Sequence, residues 1–220
     1  MNSTRCDGVS LTLYYSPGAC SMAAHIALQE AGAAYERKLV SINEGKTQSA
    51  EYLRVNPRGR VPALDVEGKV LVETCAILLY IARRYPEAHL LPSDPLREAQ
   101  CMSTIAWLAS TVHPTFAHVV KTARFSRDVE ALEGIRDVAR ETYWAALQEM
   151  DSIIGASSWF CGDQFTVCDA HALPFWGFGR RERMPMESLK NFTGWKDRMI
   201  QRPAVLQVLQ VEESRMLRGA

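Results

Sequence analysis

The chain has 220 residues, 47% apolar and 23% charged, a composition typical of a soluble globular protein with one or two hydrophobic cores. Its 25 basic residues balance its 25 acidic residues, and no basic cluster is interleaved with aromatic residues, so nucleic-acid binding is excluded at this level. No apolar run approaches the length that spans a bilayer, so we expect no membrane partner.

The six cysteines are scattered along the chain, without a Cys-x-x-Cys pair or a Cys/His spacing typical of zinc. We therefore expect no metal site, and reduced thiols in a cytoplasmic protein. Residues 1–10, which include Cys6, lack the apolar segment of a signal peptide and are expected to form a flexible extension.

A strand, a turn and a helix are predicted at the start of the chain. Apolar residues alternate through residues 11–15 and end in Ser-Pro-Gly, and an alanine-rich helical pattern follows, with Gly32 as its C-cap. Cys20 then lies at the first turn of the helix. Unpaired N–H groups and the positive end of the helix dipole favour a thiolate there, so the pKa of Cys20 is expected to fall. The alternative is a buried cysteine that only packs.

The next elements are an edge strand at residues 35–42 and one or two irregular helical turns at residues 49–55. A constrained loop with two prolines follows at residues 56–64. Its Val61-Pro62 bond enters an apolar strand, where a trans proline is the commoner case and a cis bond marks a tight turn.

Residues 63–72 predict a hairpin that turns at Glu-Gly, and Thr74 is a natural N-cap for the apolar helix that follows. The predicted order is therefore β-α-β-α-β-β-α, which is the order of a thioredoxin-like domain.

Prolines concentrate in residues 86–95 and mark the best domain boundary. We predict a flexible extension at residues 1–10, a thioredoxin-like α/β domain at residues 11–88, a linker at residues 89–96 and an all-α helical bundle at residues 97–220.

Within the helical half, His113-Pro114 is expected to interrupt one helix. Residues 129–154 predict a long amphipathic helix, and Thr166 with Asp169 forms a capping box for a later one. The cysteines beyond Cys20 are predicted to pack or to lie in the tail.

Four motifs together resemble the bacterial beta-class cytosolic glutathione transferases. They are Ser-Pro-Gly-Ala-Cys-Ser, Asn-Pro-x-Gly-x-Val-Pro, Glu-Thr-x-Ala-Ile and Thr-x-x-Asp. The resemblance runs from residue 11 to about residue 209. It implies the two-domain glutathione transferase fold, glutathione as co-substrate, a small hydrophobic electrophile as second substrate, and a homodimer.

The resemblance also implies roles for individual residues. Cys20 faces the glutathione sulfur, and the backbone of Val61, before a cis proline, pairs with the cysteinyl part of glutathione. Glu73 and Thr74 hold the γ-glutamyl end, which fits their chemistry: a helix N-terminus binds a carboxylate and Glu73 suits an ammonium group. Taken alone, Glu-Thr before a helix is more often a plain cap.

Three further residues are candidates for contacts with glutathione. Lys46 matches a loop lysine that meets the glycyl carboxylate, Arg60 directly precedes Val61 in the cis-proline loop, and Ser21 is a candidate donor to the bound sulfur. An ordinary surface role is the alternative for Lys46 and Arg60.

His113 matches a histidine that faces the thiol across the domain interface in the family, where an imidazole stabilises a thiolate or moves a proton. The chain departs from the family around it. Ala106 replaces the usual asparagine and Pro114 the usual lysine, so a packing or surface role stays open for His113.

The predicted function is conjugation of glutathione to small electrophiles, glutathione-dependent thiol–disulfide exchange through Cys20, or both. A cysteine at this place, rather than a tyrosine or serine, favours a reductive component. The alternatives are a non-catalytic regulatory or protein-binding scaffold of the same fold and a specialised glutathione-dependent dehalogenase or lyase.

Overall fold

The computed structural model describes residues 9–217, so most of the predicted extension at residues 1–10, with Cys6, lies outside the described residues. The chain forms two compact units. Of the described residues, one unit comprises residues 9–91 together with residues 202–217, and the other comprises residues 92–201. The boundary between Leu91 and Pro92 falls inside the predicted linker.

The first unit is built on a four-stranded mixed sheet with the order β2-β1-β3-β4, in which β1 and β2 are parallel and the other pairs are antiparallel. The helices α1, α2 and α3 complete the β-α-β-α-β-β-α order, which confirms the predicted thioredoxin-like fold. The elements are β1 (Leu11–Tyr15), α1 (Met22–Glu30), β2 (Glu36–Leu39), α2 (Ala50–Val55), β3 (Ala63–Val66), β4 (Lys69–Val72) and α3 (Thr74–Arg84).

The edge strand β2 is shorter than the predicted strand at residues 35–42. It pairs only with β1, from Glu36 opposite Thr12 to Leu39 opposite Tyr15, so its ladder ends where β1 ends. All its residues are exposed, and its charged side chains protect the open edge of the sheet from pairing with another chain.

Both predicted turns form as expected. Gly32 adopts φ 62° after α1 and its N–H donates to the Gln29 carbonyl at 3.1 Å, which is the C-terminal glycine arrangement. Glu67 and Gly68 adopt φ 52° and 84° between β3 and β4, as a two-residue hairpin turn that matches the twist of the strands requires.

The second unit is helical. Its helices are α4 (Pro95–Trp107), α5 (His113–Val120), α6 (Val129–Gly155), α7 (Val167–Arg181) and α8 (Lys190–Gln201). The interruption expected at His113-Pro114 does not occur as a break. A π-helical turn over Leu108–Val112 joins α4 to α5 and places Pro114 in the first turn of α5, where a proline without an N–H is tolerated.

The predicted capping box starts α7. The Thr166 hydroxyl accepts from the Cys168 N–H at 3.2 Å, and the Asp169 carboxylate accepts from the Thr166 N–H at 2.9 Å. Asp169 is fully buried and also accepts from the Phe160 N–H at 2.9 Å and the Trp195 indole N–H at 3.0 Å. Burial raises the pKa of Asp169 to about 6, against the hydrogen bonds that lower it.

The last helix, α9 (Pro203–Val211), belongs to the first unit, whereas the sequence assigned it to the helical domain. Buried polar contacts explain the difference. Glu212, just after α9, lies 2.8 Å from His25 Nδ1 and accepts from the Gly18 N–H at 3.0 Å. Arg202 donates two hydrogen bonds, at 2.6 and 2.8 Å, to Glu30 at the end of α1.

Among residues 9–217, no helix combines the length and apolarity that crossing a membrane requires.

Candidate active site

Residues from three separate stretches of the first unit converge on the Cys20 thiol. Cys20 lies in the turn between β1 and α1, and its Sγ donates to the Val61 carbonyl oxygen at 3.2 Å. The Val61-Pro62 peptide bond is cis, as the resemblance implies. The Thr74 hydroxyl, at the start of α3, is also within hydrogen-bonding reach of the thiol. The Cys20 turn, the Val61-Pro62 loop and the start of α3 therefore lie next to one another, as predicted.

The expectation of a lowered Cys20 pKa is wrong. Burial raises the pKa of Cys20 to about 11, although the residue keeps some exposed surface. The N–H groups of Cys20 and Ser21, the Thr74 hydroxyl and the Arg60 guanidinium oppose this shift but do not overcome it. Desolvation of the charged form outweighs the helix terminus here, so Cys20 is a protonated S–H donor at neutral pH.

The Ser21 hydroxyl does not have the predicted role of a donor to a bound sulfur. It is buried, donates to the Ser16 carbonyl at 3.1 Å and accepts from the Ser16 N–H at 3.1 Å. Its proton is therefore committed to the turn. These two bonds hold closed the loop that presents Cys20, and the Ser21 contribution to the thiol comes from its backbone N–H.

The helix α3 begins at Thr74 and Glu73 occupies the N-cap position, one residue earlier than predicted. Glu73 has φ 71° and ψ 123°, a strained backbone conformation for a residue with a Cβ. Strain of this kind concentrates at ligand sites and active sites. The Glu73 carboxylate is exposed and accepts from Arg58 Nη1 at 2.8 Å. Sequence reasoning missed Arg58, although it occupies the variable position of Asn-Pro-x-Gly.

The loop that carries the cis peptide is fixed by side chains that the sequence did not single out. The Arg60 carbonyl accepts from the Tyr52 hydroxyl and from Asn56 Nδ2, both at 2.7 Å. Gly59 adopts φ 60°, and a Cβ there would lie 2.9 Å from the Thr47 carbonyl oxygen, so only glycine fits. The asparagine of the Asn-Pro-x-Gly motif, Asn56, was the only feature of the sequence that pointed to these loop-fixing contacts.

The remaining candidates are less constrained by the geometry. Lys46 is exposed at the start of a 3₁₀ turn, and the Arg60 residue is exposed while its charge acts on the Cys20 thiol. The predicted contact of Lys46 with the glycyl carboxylate and the predicted contact of Arg60 with glutathione stay predictions.

His113 lies in the second unit, at the first residue of α5 and directly after the π-helical turn. Its half-buried ring is 6.0 Å from the Phe175 ring and 6.2 Å from the Phe178 ring, between centroids. Ala106 is exposed on α4. The surroundings of His113 include aromatic packing, and its predicted role opposite the thiol stays a prediction.

Comparison with known proteins gives matches over both units. The family model described as glutathione S-transferase, N-terminal domain, matches residues 9–83, and the corresponding C-terminal-domain model matches residues 109–203. Glutathione S-transferase GstA of Escherichia coli O157:H7 is 31% identical over 92% of this chain and 98% of its own. A maleylacetoacetate isomerase of Pseudomonas aeruginosa is 33% identical over 76% of this chain and 79% of its own.

Two solved structures agree with these matches. A glutathione transferase homologue from Sulfitobacter with bound glutathione superposes with a TM-score of 0.88 at 31% identity, covering 92% of this chain and 98% of that one. A bacterial beta-class glutathione S-transferase from Sphingomonas chungbukensis has a TM-score of 0.79 at 32% identity, covering 91% of this chain and 98% of that one.

Proposed function

The chain belongs to the glutathione S-transferase family, and from this premise we propose that it transfers glutathione to small hydrophobic electrophiles in the manner of the bacterial beta class. The observation that carries the proposal is the hydrogen bond of the Cys20 thiol to the Val61 carbonyl beside the cis proline, with the Thr74 hydroxyl at the same sulfur. A small peptide that carries a thiol and a terminal carboxylate fits this arrangement. Its sulfur would meet the Cys20 thiol, its backbone would pair with Val61, and its carboxylate would meet the N-terminus of α3.

In the proposed complex, the γ-glutamyl carboxylate of glutathione meets the N-terminus of α3 and the Thr74 hydroxyl. Its ammonium group pairs with Glu73, whose carboxylate is exposed and held in place by Arg58. The strained backbone of Glu73, at the N-cap of α3, supports a ligand site at this position. The Val61 backbone pairs with the cysteinyl part, and Lys46 and Arg60 supply positive charge for the glycyl carboxylate.

Cys20 then acts as a hydrogen-bond donor. Its pKa, raised to about 11 by burial, keeps the S–H proton in place at neutral pH. The S–H turns from the Val61 carbonyl to the glutathione sulfur and stabilises the thiolate there. The glutathione thiol releases its proton to solvent, its thiolate attacks the electrophilic carbon, a C–S bond forms and the leaving group departs with its electron pair. Cys20 keeps its proton and is not consumed.

Thiol–disulfide exchange through Cys20 is the second candidate, because N–H groups and a hydroxyl surround the sulfur and support its thiolate once the proton has left. The Cys20 thiolate would attack a glutathione mixed disulfide, form a new disulfide and release the other thiolate. The raised pKa makes the thiolate a minor species at neutral pH, so conjugation is favoured over this reaction.

Two variants separate these chemistries. Cys20→Ala removes both the nucleophile and the donor, so exchange with a glutathione mixed disulfide falls to background. Conjugation of glutathione to a haloaromatic electrophile falls only about tenfold, the value of one hydrogen bond to a charged sulfur. Cys20→Ser is the matched control, because it keeps a donor and retains near wild-type conjugation without exchange. Equal loss of both activities in Cys20→Ala would contradict this division of roles.

We further propose a homodimer, as is usual in the family, and a cytoplasmic location. The cysteines among residues 9–217 are all free thiols, which suits a reducing compartment. The scaffold alternative predicts that neither activity is detectable, so the same assays decide between a transferase and a binding protein.

A further inference from the structure

A cavity of about 390 Å³ opens on the first unit, between α1, the segment that leads into β2, and α9. We term it the α1–α9 cavity. Its lining includes His25 and Gln29 of α1, Tyr35 just before β2, Arg37 of β2 and Val208 of α9. None of its lining residues belongs to the Cys20 turn, the cis-proline loop or the start of α3. Because its volume is typical of small-molecule sites, the cavity is a candidate binding site apart from the one proposed for glutathione.

His25 gives the cavity a buried hydrogen-bond acceptor. Only 1% of the residue is exposed, and its Nδ1 lies 2.8 Å from Glu212 Oε1. When the ring is neutral, the Glu212 carboxylate accepts the Nδ1–H, and Nε2 is left with a lone pair. Nothing among residues 9–217 hydrogen-bonds to Nε2, and within these residues the one sealed side-chain nitrogen or oxygen without a partner is His171 Nδ1. Nε2 therefore opens to the cavity that His25 lines, where it suits a ligand that brings an O–H group.

The walls of the cavity combine paired amides with aliphatic side chains. The Tyr35 hydroxyl donates to Gln29 Oε1 at 3.1 Å, and Gln29 Nε2 donates to Gln207 Oε1 at 2.9 Å. Burial raises the pKa of Tyr35 to about 12, so its hydroxyl keeps the proton that it donates. Val208 and Val211 of α9 complete this part of the lining. Since the amides already bond each other, the walls suit a flat aromatic ring.

Arg37 adds a positive charge on the exposed side of the cavity. It lies on β2, its side chain reaches solvent, and its charge acts on the Tyr35 hydroxyl, whose pKa it lowers against the effect of burial. Within residues 9–217, no carboxylate forms an ion pair with Arg37. A guanidinium binds a carboxylate through two parallel N–H donors, so this side of the cavity suits an anionic group.

We propose that the α1–α9 cavity binds a small phenol that carries a carboxylate, of the hydroxybenzoate kind. The phenol O–H donates to His25 Nε2, the ring lies against Val208 and Val211, and the carboxylate pairs with Arg37. Binding involves no covalent step. The proposal goes beyond the function proposed above and does not depend on it.

Calorimetric titration of the intact protein with 4-hydroxybenzoate tests the proposal, with benzoate and methyl 4-hydroxybenzoate as matched probes. Benzoate lacks the donor to His25 and the methyl ester lacks the charge for Arg37, so we expect each to bind about tenfold more weakly. Changing the probe rather than His25 keeps the buried contact with Glu212 intact. No saturable binding of 4-hydroxybenzoate at millimolar concentration, or equally tight binding of benzoate, would overturn the proposal.

Variants test whether the probe lies in the cavity. Arg37→Gln removes the charge and should weaken 4-hydroxybenzoate binding about tenfold, whereas Arg54→Gln, an exposed arginine on α2, is the matched control and should leave it unchanged. Val211→Trp changes a residue that is 38% exposed, so the fold tolerates it, and the larger side chain should block the cavity and abolish binding. Wild-type affinity in Arg37→Gln or Val211→Trp would overturn the proposal.

Reduced glutathione separates the two sites. We expect the same affinity for 4-hydroxybenzoate with and without millimolar glutathione, because the cavity shares no residue with the proposed glutathione site. Competition between the two would place the probe at the glutathione site and overturn the proposal. A protein that binds 4-hydroxybenzoate in the cavity but binds no glutathione would support this inference and refute the proposed function alone.

Discussion

At Cys20, two opposing effects act on one sulfur. Burial favours the neutral thiol, and the donors around it, led by the Cys20 and Ser21 N–H groups, favour the thiolate. Burial wins, which changes the role of the residue. A thiolate at rest would suit a redox enzyme, whereas a protonated thiol next to the Val61 carbonyl suits an enzyme that stabilises the thiolate of its co-substrate.

The acidity of Cys20 is directly measurable. Because its pKa lies at about 11, the rate of Cys20 alkylation by iodoacetamide should rise about tenfold per pH unit up to pH 10, without a plateau. Thr74→Ala removes one donor and should lower the rate further, while Thr74→Ser should leave it unchanged. Mass spectrometry of the Cys20 peptide follows the reaction. A plateau at or below neutral pH would contradict the account.

Loss of the Asp169 side chain should destabilise the second unit. Asp169→Ala leaves the Phe160 N–H and the Trp195 indole N–H without their acceptor, so we expect a loss of about 3 kcal/mol in the free energy of unfolding. Asp163→Ala, an exposed aspartate in the preceding loop, is the matched control and should change little. Urea unfolding measures both, and equal stability of the two variants would refute the role of Asp169.

The raised pKa of Asp169 predicts that the free energy of unfolding depends on pH. Burial raises its pKa from 3.8 to about 6 in the folded protein, so the folded state holds a proton that the unfolded state has released across this interval. The contribution of Asp169 to stability therefore falls as pH rises from about 4 to about 6. Asp169→Asn should remove that part of the pH dependence, and an unchanged dependence in this variant would speak against the raised pKa.

Sequence patterns predicted where the site residues lie better than they predicted the acidity and the partners of those residues. Cys20, Val61 and Thr74 came from motifs and turn signals, and they do meet. The Cys20 pKa was not predictable, because it depends on how completely distant residues exclude water from the sulfur. Arg58 was missed for a similar reason, since its partner Glu73 is brought near only by the fold.

Among the elements, local signals specified the ends and turns of helices and strands. The Gly32 C-cap, the Glu67-Gly68 turn and the Thr166–Asp169 capping box each depend on a few adjacent residues, and all three were predicted. The π-helical turn over Leu108–Val112 was not, because a proline signals a disruption without saying how the helix absorbs it.

Glu212 links the end of α9 to the turn that carries Cys20. Glu212 bonds both His25 on α1 and the Gly18 N–H two residues before Cys20. Glu212→Gln replaces one acceptor oxygen by a donor, so we expect a loss of about 1–3 kcal/mol in unfolding free energy and a higher KM for glutathione. Glu213→Gln, at the exposed neighbouring position, is the control for charge loss. Thermal unfolding and steady-state kinetics test both, and identical behaviour of the two variants would refute the link.

For the whole molecule, the alternation of strands and helices in the first unit and the helical pattern of the second sufficed to predict the fold class. The assignment of α9 to the first unit did not follow from the sequence. An amphipathic pattern indicates that a helix packs against other elements, but it does not say against which surface. That surface is determined by partners that are distant in sequence, such as Glu30, which accepts from Arg202.

The central claim is that the Cys20 turn, the cis-proline loop and the start of α3 form a glutathione site. Calorimetric titration of reduced glutathione tests it most directly, with wild-type protein, Glu73→Ala/Thr74→Ala and the control Glu87→Ala, an exposed glutamate after α3. We predict binding to wild type and control, and binding about 100-fold weaker in the double variant, which lacks two charge-assisted contacts. No binding to the wild type at millimolar glutathione, or equal binding to the double variant, would contradict the claim.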